Sequence, residues 1–203
     1  TWRDAGAILD NLPLGETTIS FSAVTGWNTA ESSVVMILAD DTVVATATYV
    51  RKTYELLYTA GPGGSLQGNV AQSVFHGQDA TPILVVPHEG MRFVRWSDGQ
   101  TENPRIDVNV LAASTVVAEF AAKMVPVISW PSPSPIVFGM ALSSLQCNAE
   151  ADTPGVFAYD PPVGTGLSVG NHVLRVIFMP DDVANWTTAT ANVELDVVEG
   201  LAL

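Results

Sequence analysis

Lysine is nearly absent from this chain: Lys52 and Lys123 are the only two in 203 residues. Asp, Glu, Lys and Arg together make up 14% of the sequence, against about a quarter in an ordinary domain. Long amphipathic helices draw their solvent face from Glu, Lys and Arg, so this scarcity argues against a helical protein. Basic residues number 8 against 21 acidic ones, for a net charge of −13. Neutralising phosphates needs clustered Lys and Arg, so nucleic acid is excluded as a partner, and a peripheral contact with anionic lipid is disfavoured. Cys147 is the single cysteine, which removes a disulfide framework and a cysteine metal site; it reads as a small buried apolar residue. No apolar run approaches the ~20 residues that span a bilayer, and the longest, such as residues 34–39, have strand length. The chain opens at Thr1 in mid-pattern with neither a leader nor an initiating Met, and is expected to be a piece of a larger polypeptide.

What is present is Val, Thr, Ser, Gly and Pro, the residues of strands and tight turns. Period-two alternation, the mark of a half-buried strand, recurs along the whole chain. In residues 1–51 it predicts strands at 17–24 (Ile19, Phe21 and Ala23 on one face), at 33–38 (Val34, Met36 and Leu38 alternating) and at 43–49, with Asp40-Asp41 as a hairpin turn. In residues 52–122 it predicts strands at 54–59, 82–86, 92–96, 105–110 and 115–120. In the run 105–110, Ile106, Val108 and Val110 are expected to face inward and Arg105, Asp107 and Asn109 outward. Ser97-Asp98-Gly99 supplies a turn in which glycine tolerates positive φ. In residues 123–203, the proline-spaced stretch from Trp130 to Pro135 is an edge strand or a connection, never a central strand. Strands are expected there at 156–159, 172–178 and 191–197, with Ala191, Val193, Leu195 and Val197 on one face. The spacing of about ten residues per strand is that of a sandwich or barrel. The acidic excess is largest in this last segment, and the first is short for a core of its own.

Nothing in the sequence identifies a reaction. Gly61-Pro62-Gly63-Gly64 resembles a phosphate-cradling loop, but neither a helix nor Gly-Lys-Ser/Thr follows it, so it reads as a turn. His76, His88 and His172 stand singly, without the spacing of metal ligands. Asp181, Asp182 and Asn185, or Asp40 and Asp41, offer oxygens to calcium, yet neither group has the spacing of a calcium loop, and such aspartates commonly build turns. There is no Gly-x-Ser-x-Gly elbow. Trp2, Trp27, Trp96, Trp130 and Trp186 are spread over all three segments near strand ends and are expected to anchor small cores; exposed sugar-stacking platforms are the minority reading. Arg92 and Arg95 flank Phe93 and Trp96, which suggests a cation–π cluster or an anion site, or simply outward arginines alternating with inward aromatics. The expectation is therefore no catalytic, cofactor-binding or metal residue.

Three stretches of sequence resemble known families. Gly90-Met91-Arg92-Phe93-Val94-Arg95-Trp96-Ser97-Asp98-Gly99, then Asn103-Pro104-Arg105 and Val117-Ala118-Glu119-Phe120, resemble the divergent internalin B-type repeat of bacterial surface proteins, a small all-β or β-grasp-like module. Ile128-Ser129-Trp130, Pro135 to Gly139, Pro154 to Tyr159, Gly170 to Leu174 and Asn185 to Ala189 resemble the bacterial immunoglobulin-like repeats that recur in tandem in large secreted proteins. Trp2 to Gly6, Leu12-Pro13-Leu14-Gly15, Ile19-Ser20-Phe21 and Gly26-Trp27 resemble PEGA-like modules, in which another strand usually precedes the position of Trp2, so this module is expected to be truncated at its N-terminus.

The fold expected from all this is all-β: three consecutive small β-sandwich or β-grasp-like modules arranged end to end, at 1–51, 52–122 and 123–203. The resemblances imply a monomeric, non-catalytic spacer or adhesion segment of a secreted or cell-surface bacterial protein. Its partner would be an unidentified protein or glycan at the cell surface. The alternative is a carbohydrate- or protein-binding accessory module of a larger extracellular enzyme, which calls for at least two Trp or Tyr rings exposed on one face or a contiguous apolar patch.

Overall fold

The computed structural model of the chain describes residues 6–200. The described residues are all-β, with no helix, and are arranged in several separate sheets. They cluster into two compact units. One holds the described residues up to 61 together with 65–86 and 95–119; the other holds 62–64, 87–94 and the residues from 120 onward.

The first unit begins with two small antiparallel pairs. β1 (Gly15–Ile19) pairs with β3 (Ser33–Ile37), setting Thr17 opposite Val35, and β2 (Trp27–Asn28) pairs with β4 (Val50–Arg51). The strand expected at 17–24 therefore stops at Ile19, and no strand forms over 43–49. Asp40 does turn the chain, at φ 58°, but β3 takes β1 as its partner and not the run that follows the turn. That run has little to bury: Val43 and Val44 are both exposed, and in β3 it is Val35 and Ile37 that turn inward while Val34 and Met36 face solvent. No apolar side chain of residues 6–51 is fully buried, in keeping with how little core so short a segment can build.

A four-stranded sheet is built on β5 (Thr53–Ala60), which pairs antiparallel with β7 (Ala71–Phe75) and parallel with β10 (Ser114–Ala122); β9 (Met91–Trp96) completes it in the order β7-β5-β10-β9. A separate two-stranded ladder joins β6 (Gly64–Gln67) to β8 (Leu84–Pro87). Alternation buries Leu56 and Tyr58 of β5 and Val116 and Ala118 of β10; Ile83, Val85 and Trp96 are buried as well, and the Tyr58 ring meets that of Trp96.

Residues 105–110 depart from expectation in an informative way. They form no strand beyond a single bridge between Arg105 and Ile83, and their facing is reversed at the start. Arg105 is buried and Asp107 half-buried, while Ile106 and Val108 are exposed; only Val110 lies inside as expected. The reason is electrostatic: Arg105 finds two carboxylates and two aromatic faces inside the unit, and neither Ile106 nor Val108 has a comparable set of partners outside the solvent.

In the second unit, β11 (Ile128–Ser129) pairs with β13 (Glu150–Ala151). A four-stranded sheet runs in the order β12 (Ile136–Val137), β16 (Ala189–Val198), β15 (Gly170–Pro180), β14 (Gly155–Asp160), with β12 parallel to β16 and the rest antiparallel. The prolines act as expected, since no strand forms between Trp130 and Pro135 and the strand that follows them is an edge. Ile136, Leu142, Leu174, Leu195 and Val197 form the core cluster, with Trp130, Leu167 and Val193 packed on it. The expected inward face of 191–197 is the observed one. The glycine tetrapeptide is a turn: Gly63 has φ 109°, and a side chain on Gly64 would collide with the ring of Phe120. These glycines make room for an aromatic ring.

Candidate functional site

The densest polar cluster lies in the first unit around Arg105. The turn at Ser97-Asp98-Gly99, where Gly99 has φ 90°, brings Asp98 back toward the chain at Arg105. Arg105 Nη1 donates to Asp98 Oδ1 at 3.0 Å and Nη2 to Asp98 Oδ2 at 2.8 Å. From the other side, Nε donates to Asp107 Oδ2 at 2.9 Å and Nη2 to Asp107 Oδ1 at 2.6 Å. The Tyr58 hydroxyl donates to Asp107 Oδ2 at 2.6 Å. The guanidinium also lies 5.3 Å from the Trp96 ring centre and 6.0 Å from that of Tyr58, and these two rings meet edge to face. The indole Nε1–H of Trp96 donates to Glu102 O.

The charge states follow from these contacts. The hydrogen bond from Arg105 holds Asp98 below the usual carboxylate range. Burial by itself raises Asp107, but hydrogen bonds from Arg105 and Tyr58 outweigh it and leave Asp107 lowered as well. Burial, then the bond to Asp107, pushes the Tyr58 phenol up. Burial acts against the Arg105 cation, and its two carboxylates reverse that effect. Both acids are thus fixed as anions and the phenol as neutral, so no member of the cluster is poised to exchange a proton near neutrality. The Arg105 side chain is 3% exposed, and each of its three nitrogens donates to Asp98 or Asp107. The cluster can lock a turn in place.

Neighbouring motif residues act in the same structural way. Asn103 behaves as a strand partner for Val85, accepting its N–H at 2.8 Å and donating to its carbonyl at 3.0 Å. Buried Gln72 closes a loop by accepting from Thr81 N and Oγ1 and donating to Thr81 O. Arg95 is the outward arginine of β9 and pairs with Glu119. Arg92, on the same strand, is half-buried, and its buried Nε has no hydrogen-bond partner among the described residues.

The remaining sequence candidates lie apart. His76 has its Nδ1 3.1 Å from the Tyr54 hydroxyl, His172 Nε2 is 2.7 Å from Ser168 O, and His88 is exposed. Both carboxylate oxygens of Asp182 accept from Asn185, one from its backbone N–H and one from its side chain, so this pair builds a turn. Among the described residues no group of three or more His, Cys, Asp or Glu comes together. Cys147 is half-buried, and burial pushes its thiol up, away from the reactive thiolate. Of the tryptophans, Trp96 is buried, Trp130 and Trp186 half-buried and Trp27 38% exposed; Trp2 lies outside the described residues. Sequence reasoning missed the Arg105 cluster. Its signal was present in Trp96-Ser97-Asp98-Gly99 followed by Asn103-Pro104-Arg105, but the apolar Ile106 and Val108 drew the facing the wrong way.

Residues 54–124 match the family described as the divergent InlB B-repeat domain. The matched stretch contains Tyr58, Trp96, Asp98, Asn103, Arg105 and Asp107, so the polar lock is built wholly from the repeat's own sequence. No curated protein matches the chain.

Proposed function

We propose that this chain is a non-catalytic structural segment of a secreted or cell-surface bacterial protein, serving as a spacer or as part of an adhesive array. The match of residues 54–124 to a repeat family carries this reading. The Arg105 cluster supports it, because the most polar buried group of the first unit is consumed within its own fold. We take the modules as 1–51, 52–122 and 123–203, placed end to end as an extended monomer. Their acidic, lysine-poor surface opposes association with polyanions.

Small-angle X-ray scattering on the 203-residue chain tests this. An extended monomer gives a radius of gyration well above the ~17 Å expected for a compact chain of this length. A compact value, or a concentration-independent dimer, would overturn the spacer reading.

A further inference from the structure

The second unit has an open cleft of about 320 Å³ lined by Ser129, Trp130, Pro131, Asn148 and Glu150, at the lower end of the ~300–1,000 Å³ range of small-molecule sites. We infer that it is a subsite for one neutral pyranose ring of a glycan, with Trp130 as the stacking platform.

The first argument is preorganisation. Trp130 directly follows β11, and its indole is fixed from three sides. Its Nε1–H donates to Gln146 O at 2.9 Å. The Tyr159 ring meets it edge on, with centroids 5.5 Å apart. The residue is packed against the core cluster. Each support is itself held: Tyr159 accepts from Ala149 N, and buried Gln146 accepts from Ser143 N and Oγ. A flat aromatic surface fixed in this way loses little entropy when a ligand covers it.

The second argument is the polar set around the ring. Ser129 and Glu150 stand directly opposite each other across the β11–β13 pair, and Asn148 lies two residues before Glu150. All three are exposed. In the Arg105 cluster every polar group has a partner inside the protein, whereas the Ser129 hydroxyl, the Asn148 carboxamide and the Glu150 carboxylate form no side-chain hydrogen bond among the described residues. A carboxylate accepts, an amide both donates and accepts, and a hydroxyl does either. That is the complement of a sugar, whose ring hydroxyls do both while its C–H face is apolar and packs on an aromatic ring.

The third argument is charge. Glu150 is the only ionised group in the lining, and the whole chain carries −13. Uronates, sialylated and sulfated glycans are therefore disfavoured, and a neutral ring is selected.

The test is a titration of ¹⁵N-labelled chain with cellobiose, N,N′-diacetylchitobiose, maltose and mannobiose, with sialyllactose as the charged control. At least one neutral disaccharide should give saturable shifts at the Trp130 indole N–H and at the amides of Ser129, Asn148 and Glu150, with a dissociation constant in the millimolar range. Glu150→Gln and Asn148→Ala, both at exposed positions, should each weaken it at least threefold with an unchanged thermal midpoint. The inference is overturned if no neutral sugar gives saturable shifts, if the shifts map elsewhere, if neither variant weakens them, or if sialyllactose binds equally well. None of these outcomes bears on the scattering test of the spacer reading.

Discussion

Arg105 and Asp98 meet as two parallel hydrogen bonds, Nη1 to Oδ1 at 3.0 Å and Nη2 to Oδ2 at 2.8 Å, which tie the turn after β9 to the chain opposite β8. The two ends of this pair differ in environment: the arginine side chain is 3% exposed and the aspartate 35%. Removing each partner should therefore cost different amounts. Arg105→Ala strands Asp107 half-buried and strips a cation from two aromatic faces, so a loss of about 3–5 kcal/mol is expected. Asp98→Asn keeps the turn and leaves Arg105 its bonds to Asp107, so about 1–2 kcal/mol is expected. Urea unfolding followed by the fluorescence of buried Trp96 reads both. Equal costs would mean that the fork does not hold the turn.

The same cluster sets a pH response with a definite sign. Asp98 and Asp107 are lowered in the folded state, so the unfolded chain binds protons first as pH falls. Stability is full above the ordinary aspartate value near 3.9 and is lost below it, as pH falls toward the folded values. Tyr58 is raised, so its contribution is full below the ordinary tyrosine value near 10 and is lost as pH rises beyond it. The denaturation midpoint should thus form a plateau between these limits and drop on both sides. Tyr58→Phe should flatten the alkaline drop, and Asp98→Asn should reduce the acid one. An unchanged alkaline limb in Tyr58→Phe would show that the phenol is not the group responsible.

Legibility in the sequence followed the source of each residue's stabilisation. Where burial of apolar surface alone decides facing, alternation reads correctly: Val193, Leu195 and Val197 point inward and Glu194 and Asp196 outward, as the period of two requires. Where a specific polar partner decides, alternation misleads, as at Arg105, Ile106 and Val108. It also misleads where no core exists to enforce a face, as at 43–49, where a sound period-two pattern yields no strand. The proline and glycine signals were more dependable because they act through the backbone itself: the break at 130–135 and the turn at Gly63 need no distant partner. The cleft at Trp130 was beyond local reading, because Ser129 and Glu150 become neighbours only through the pairing of β11 with β13.

Gly26 marks a tight contact between the early part of the first unit and the repeat sequence. Its carbonyl accepts from Lys52 N at 2.9 Å, it has φ 80°, and a β-carbon there would run into the imidazole of His76. Gly26→Ala should destabilise by about 1–3 kcal/mol, from backbone strain and the clash together. His76→Ala should recover part of this, because it removes the obstructing ring while leaving the strained φ. A double-mutant cycle by urea unfolding measures the coupling. Strict additivity would show that the ring and the glycine do not touch.

Phe178 and Ile177 are adjacent on β15 and point to opposite faces of its sheet. Phe178 is fully buried, its ring lies 4.7 Å from that of Phe157, and Gly155 lacks a side chain where one would strike it. Ile177 is 50% exposed and stands opposite Ala158 on one neighbour and Thr190 on the other. Truncating Phe178 to Ala should open a cavity with little room to relax, since Phe157 and the β14 backbone are fixed by the ladder, and should cost about 3–5 kcal/mol. Truncating Ile177 to Ala removes surface that is already half wet and should cost under ~1 kcal/mol. Guanidinium unfolding of the two variants, with the slope of the transition compared against the parent chain, separates the cases. Similar losses in both would mean that β15 is paired one residue out of the register described, with the opposite face turned to the core.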